Sequence, residues 1–469
     1  MSTNNVFELG FGQTEQEITL DRLPVRGRIP AWLHGTLVRN GPGTFRVGEQ
    51  RYRHWFDGLA MLHKFSFANG QVSYANKFLQ NNAYKEAQAN GRIAYSEFAT
   101  DPCRSLFGRV MAVFSPQITD SAKVNVAQIA DRFMALAETP IQVEFDLETL
   151  ASVGVYQHEE NPVGQMTTVH PHFDEGSVYN LVTRFHRVSH YRLYRTEDGR
   201  FNQLVGQMPV SRPAYIHSFG LSQNYAIVAE FPLRVNPIHL LLWLRPFIEN
   251  FRWQPKKGTP FHIINRHTGE LVAHIESDPF FAFHHVNAFE KGGELIVDIV
   301  AYPDADIINA FYLNRLAEPD SKIPFGHLRR YRLPLKGGRA TYEQLSDVCL
   351  ELPRFDYGRY NMDESYNFVY ASSINPDQRQ GFYNQIAKVS IRNGHSQTWY
   401  EEGCYPGEPI FVGAPDRTAE DDGVVLSVVL DAHKGTSFLL VLDAATFEEI
   451  GRAELPQAVL FGYHGEYFA

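Results

Sequence analysis

The sequence predicts an all-β protein, and three observations carry that reading. Short apolar or alternating runs recur along the chain, each bounded by Gly, Asn, Asp or Pro. One turn signature returns at a regular spacing. Four histidines sit in distinctive short patterns that are far apart in the chain, and only a fold that brings distant strand ends to one place can unite them.

The strand readings follow from length and period. Tyr225–Phe231, Glu294–Tyr302, Gly423–Asp431 and Ser437–Asp443 have the length and the β-branched content of strands. Three segments share one plan, an apolar strand followed by Asp or Asn, then Thr three residues on: Asp146 with Thr149, Asn265 with Thr268, Asp443 with Thr446. The Asp or Asn side chain can bond the backbone just beyond it and close a hairpin. Positions 146, 265 and 443 lie 119 and 178 residues apart, which is two and three multiples of roughly 59, a propeller-like period longer than the roughly 40–50 of common propeller repeats. Blades of a propeller are radial, so residues at the ends of inner strands from several blades would meet on one axis. No linker or low-complexity stretch interrupts the chain, which reads as one domain over 1–469.

One segment departs from the strand pattern. Phe231 to Trp253 is apolar and aromatic, with Arg245 and Arg252 interspersed and Lys256-Lys257 following. It reads as a cap, roughly 231–257, packed on the propeller. Its core, Leu240-Leu241-Leu242-Trp243-Leu244, also has the character of a patch that dips into a bilayer interface beneath a basic rim.

Composition sets the class. Of 469 residues, 44% are hydrophobic and 13% aromatic, enough for a large core. The formal charge of −10, with no basic stripe, argues against a nucleic-acid partner. Cys103, Cys349 and Cys404 make no disulfide framework, so a reducing compartment is expected. No secretory signal and no apolar run of membrane-spanning length is visible. The expected location is cytoplasmic, peripherally associated with membranes.

The histidines are His170 in Thr167-Thr168-Val169-His170-Pro171-His172, His217 in Tyr215-Ile216-His217-Ser218, His284 in Phe283-His284-His285-Val286-Asn287, and His464 in Tyr463-His464-Gly465. Neutral imidazole is the commonest metal ligand and suits iron, zinc, copper and nickel. Residue types alone leave the metal open. His54, His63, His172 and His285 read as structural. Arg39 to Gly43 reads as a glycine-rich turn, without the spacing of a phosphate loop.

These motifs, with Gly35-Thr36-Leu37-Val38-Arg39-Asn40-Gly41-Pro42-Gly43, His54-Trp55-Phe56-Asp57-Gly58, Glu408-Pro409-Ile410-Phe411-Val412 and Glu420-Asp421-Asp422-Gly423, occur in an order that resembles the carotenoid cleavage oxygenases over nearly the whole chain. The resemblance implies a seven-bladed β-propeller with a loop and helix cap. It implies that His170, His217, His284 and His464 hold Fe(2+), with His284 chosen over His285 because the family's ligand lies three residues before the Asn. It implies that Glu138, Glu351 and Glu408 pair with His217, His284 and His464, leaving His170 without a carboxylate. The implied activity is dioxygenase cleavage of a conjugated C=C bond in a carotenoid or apocarotenoid by O2, giving two carbonyl products. Related readings are a stilbene-cleaving oxygenase, a retinyl-ester isomerohydrolase, closely resembled from Tyr215 to Glu290, and a non-catalytic carotenoid-binding propeller. Ala137 and Ala99 stand where the stilbene branch carries a phenol-binding Lys and Tyr, so the sequence departs from that branch.

Overall fold

The computed structural model describes residues 3–14, 16–102, 119–197, 199, 201–241, 245–318, 320–378 and 381–469. Among them, seven antiparallel sheets form the blades of a β-propeller. We number the blades by the order in which their second strands occur along the chain. The first runs outward from Gly465–Phe468 through Gly35–Thr44, Leu59–Ala68 and Gln71–Phe78 to the short strand Thr19–Leu20. Its inner strand thus comes from the far end of the sequence. The seventh runs from Cys404–Pro406 and Ile410–Gly413 through Gly423–Asp431, Thr436–Asp443 and Glu449–Glu454 to Val25–Gly27. Its outer strand comes from near the beginning. The ring is therefore latched twice, on adjacent blades.

Neighbouring blades pack through apolar side chains, because their central strands bury apolar residues on both faces. Leu37, Phe65 and Tyr74 of the first blade pack on Leu426, Leu439 and Val441 of the seventh. Val38 and Leu62 of the first pack on Val126, Ala135 and Phe145 of the second. A larger cluster lies over the axis, where Trp55, Phe231, Phe251, Phe281, Phe283 and Phe311 meet. The cap segment contributes to it through Leu240 on a helix over Pro237–Leu241 and Ile248 on a short 3-10 turn over Ile248–Asn250; a second 3-10 turn, Pro255–Lys257, buries no residue.

The regular turn signature is the same structural position each time. Asp146, Asn265 and Asp443 each close the hairpin between the third and fourth strands of a blade, in the second, fourth and seventh blades. Each side chain accepts the backbone N–H three residues on, at 2.8, 2.9 and 2.8 Å. The two spacings correspond to two and three blades.

The reading of Arg39 to Gly43 as a turn is corrected by the structure. These residues lie inside the ten-residue strand Gly35–Thr44. The glycines are there for closeness: a Cβ on Gly41 would stand 2.5 Å from the Cα of Gly462. The bare strand lets the segment that carries His464 lie flat against it, held by Asn40 N–H to His464 O (2.8 Å) and Tyr463 N–H to Asn40 O (3.0 Å).

Candidate metal centre

Each histidine sits at the axial end of an inner strand. His464 precedes Gly465–Phe468 in the first blade, and His170 lies between Met166–Thr167 and His172–Asp174 in the third. His217 stands just before Gly220–Leu221 in the fourth, and His284 precedes His285–Lys291 in the fifth. The remaining three blades bring the glutamates. Glu351 opens the sixth blade's inner strand, Glu408 lies between the two inner pieces of the seventh, and Glu138 follows Arg132–Leu136 of the second.

One ring nitrogen from each of the four histidines lies within 4.8 Å of all the others. His170 Nε2 is 3.3 Å from His217 Nε2, and His284 Nε2 is 3.2 Å from His464 Nε2. An ion with bonds of about 2.1 Å to imidazole needs neighbouring donors about 3 Å apart and opposite ones about 4 Å apart. The cluster fits a transition-metal ion.

The electrostatics agree with that fit. Burial, and after it the neighbouring imidazoles, holds His170 and His464 well below the usual imidazole range. Burial also lowers His217, with Glu138 opposing. These rings therefore stay neutral at pH 7 and keep a lone pair for a cation. Nδ1 of His217 donates to Glu138 Oε1 (2.7 Å), that of His464 to Glu408 Oε1 (2.8 Å), and that of His284 to Glu351 Oε1. Each such bond fixes the tautomer and aims Nε2 inward. No carboxylate among the described residues bonds His170.

The sequence did not reveal what holds the glutamates. Tyr215 donates to Glu138 and Tyr302 to Glu351. Burial and the adjacent carboxylate raise both phenols, so they remain protonated donors. Arg39 pairs with fully buried Glu408 and also donates to Tyr463 O at 2.6 Å, while Gly465 N–H reaches Glu408 at 3.0 Å. Tyr215 lies two residues from a recognisable histidine and offered a signal; Arg39 and Tyr302 offered none.

The four histidines read as structural point elsewhere. His285 Nδ1 meets Ser218 Oγ (2.8 Å), His172 Nε2 meets Phe219 O (2.8 Å), His54 Nε2 meets Ile308 O (2.8 Å) and His63 Nδ1 meets Tyr74 (2.8 Å).

A cavity of about 350 Å³ opens onto the cluster, with His217, His284 and His464 in its wall. Trp55, Phe56, Phe98, Phe283 and Phe311 make most of the rest apolar. The Phe283 ring lies 5.7 Å from that of His217. Pro237, half-buried Leu240, Arg245 and Phe247 from the cap segment close the other side. The Leu241 side chain, and Leu242, Trp243 and Leu244 altogether, lie outside the described residues. Among the described residues no helix is long and apolar enough to cross a membrane.

With this geometry in place, comparison with known proteins is decisive. The family profile described as retinal pigment epithelial membrane protein, RPE65, matches residues 11–469. The chain belongs to the RPE65 and carotenoid oxygenase family. It is 33% identical to the mitochondrial carotenoid-cleaving dioxygenase of Macaca fascicularis, over 94% of this chain and 91% of that one. It is 32% identical to the β,β-carotene 15,15′-dioxygenase of Gallus gallus, over 94% of each. Its fold matches that of cobalt-substituted Synechocystis apocarotenoid oxygenase with a TM-score of 0.88 at 25% identity, covering 100% of this chain and 99% of that one. The chain is an oxygenase of this family, and its seven-bladed propeller is the family's fold.

Proposed function

We propose that this oxygenase cleaves a conjugated C=C bond of a carotenoid or apocarotenoid with O2, at Fe(2+) held by His170, His217, His284 and His464. The observation that carries the reading is the convergence of four imidazole nitrogens beside an aromatic cavity whose wall includes three of the rings, His217, His284 and His464. Bound there, the iron would supply the redox chemistry that lets O2 react with an electron-rich polyene. The balance is simple: the C=C bond and the O–O bond break, and each carbon takes one oxygen as a carbonyl.

The chain's own residues do the rest. Glu138, Glu351 and Glu408 hold the ligand rings in one orientation, so the site is rigid before substrate arrives. Phe56, Phe283 and Phe311 exclude water and confine the polyene to a line past the histidines. No acid or base is needed to start. Which bond is cut depends on how far the polyene slides before its end meets the wall. The whole of 1–469 is read as one propeller domain. Its cap, roughly 231–257, carries the cavity mouth to a membrane surface, since carotenoids dissolve in bilayers and hardly in water. Support for that docking is Ile238, 61% exposed on the helix that also sends Leu240 into the cavity.

The test is metal content together with product mass. Purified protein should carry about one iron per chain and convert a carotenoid to two carbonyl fragments. His284→Ala should lose both iron and activity, whereas His285→Ala should keep most of its iron. Metal loss in His285→Ala alone would overturn the ligand set. Turnover of a retinyl ester to an alcohol, with no cleavage of any polyene, would assign the isomerohydrolase reaction instead.

A further inference from the structure

The cavity is not apolar throughout. On one side a buried ion pair faces it: Lys123 Nζ lies 2.5 Å from Glu97 Oε2, with the two side chains 5% and 3% exposed. Lys123 also donates to Ser121 Oγ (2.8 Å), and Thr119 Oγ1 donates to Glu97 Oε1 (3.0 Å). All four residues, with Ser96, line the cavity. An ammonium has three N–H groups, and among the described residues only two acceptors take them. Ser96 Oγ is buried there with no partner among the described residues. The pair lies close to the metal centre in the fold, because Val124, the next residue, accepts the His464 N–H at 3.1 Å.

A buried ion pair is a poor stabiliser, since taking two charges out of water costs about what their attraction returns. An apolar pair of similar volume would serve the fold as well. A hydrocarbon lying in this cavity would seal the third N–H and the Ser96 hydroxyl from water and offer them nothing. A substrate ending in oxygen would satisfy both.

Resting on the reading of the cavity as the substrate site, we infer that Lys123, set by Glu97 and Ser121 and assisted by Ser96, is a specificity determinant that selects a polyene bearing a hydroxyl or carbonyl oxygen at its end. The ammonium donates to that oxygen, and Ser96 donates or accepts according to whether the group is a carbonyl or a hydroxyl. The oxygen fixes the depth at which the polyene stops, and hence the bond presented to the histidines.

The experiment compares three probes, β-carotene, its ring-hydroxylated counterpart and an apocarotenal, on the iron-loaded enzyme and on Glu97→Gln/Lys123→Met, which removes both charges together. Dissociation constants are read without O2, from quenching of tryptophan fluorescence; Trp55 lines the cavity. Cleavage is read separately as kcat/KM. Wild type should bind at least one oxygen-ended probe roughly tenfold or more tighter than β-carotene, the scale of a hydrogen bond to a charged group. In the double variant that ratio should fall to within about threefold of one. Preference for the hydroxylated ring alone, or for the aldehyde alone, assigns which end is held. Equal wild-type affinities, or a preference that survives the double variant, overturns the inference. Should the variant fail to fold, the wild-type ratio decides. Binding selectivity without any cleavage would leave this inference standing while sinking the proposed reaction.

Discussion

At the scale of single residues, the centre depends on groups that never touch a metal. Glu408 is fully buried and is held by His464, Arg39 and the Gly465 N–H together. Glu408→Gln keeps the shape but weakens the grip on the imidazole. Loss of such a partner typically costs 10–100-fold in activity or metal affinity, with the circular dichroism spectrum expected to be unchanged; wild-type activity would remove Glu408 from the site. Acid sensitivity is also set by single residues. Burial depresses His54 and His63 to about 3, against 6.5 when unfolded. A depressed group stabilises fully above 6.5, and its contribution is lost as pH falls toward 3, roughly 2 kcal/mol each by pH 5. Asp57, raised by burial to about 6, runs the other way and offsets part of that loss, because it stabilises at low pH and ceases to as pH rises through about 6. The melting temperature should therefore fall between pH 6.5 and pH 5, and His63→Gln should flatten the slope; a slope unchanged in that variant would count against the assignment. Of the residues around the centre, the histidines and glutamates were legible because each stands in a short pattern of its own. Arg39 was not. Its partner lies 369 residues away, and nothing local distinguishes a buried arginine on a glycine-rich strand from one in a turn.

Elements were legible where local chemistry repeats. The Asp-x-x-Thr and Asn-x-x-Thr turns gave the blade period because a side chain satisfying a turn three residues on needs no tertiary help. Gly41-Pro42-Gly43 misled for the same reason: glycine signals conformational freedom locally, yet here it serves a close approach that only the closed ring creates. The cap helix Pro237–Leu241 is the element whose role is most open to experiment. Ile238 is exposed on it while Leu240 reaches the cavity. A large apolar side chain gains roughly 1.5–3 kcal/mol on leaving water, enough for a few residues to dock reversibly. Ile238→Glu should reduce association with liposomes. It should slow cleavage of membrane-held carotenoid more than cleavage of a detergent-dispersed apocarotenal. Equal slowing of both substrates, with liposome binding intact, would place this helix in a purely packing role.

At the scale of the whole molecule, all seven blades contribute to one point, four with a histidine and three with a glutamate. A bound ion then adds a tie among blades that are not neighbours, beside contacts such as the Arg354–Glu466 ion pair (2.6 Å) between the sixth and the first. A metal ion at a hundred times its dissociation constant should add about 2.7 kcal/mol of stability. Chelation should accordingly lower the melting temperature, and His284→Ala should show no such response. The double latch carries a consequence in time. Trp55 donates to Phe461 O across 406 residues, and His284 meets His464 across 180. Contacts of such separation form late, after a large loop-closure cost, and chains dominated by them fold slowly. Until then the ligand set lacks His464, which arrives with the closing strand Gly465–Phe468. His170, His217 and His284 can meet as three consecutive blades form, but His464 enters only with the strand that closes the ring, so completion of the four-imidazole site and completion of the fold are one event.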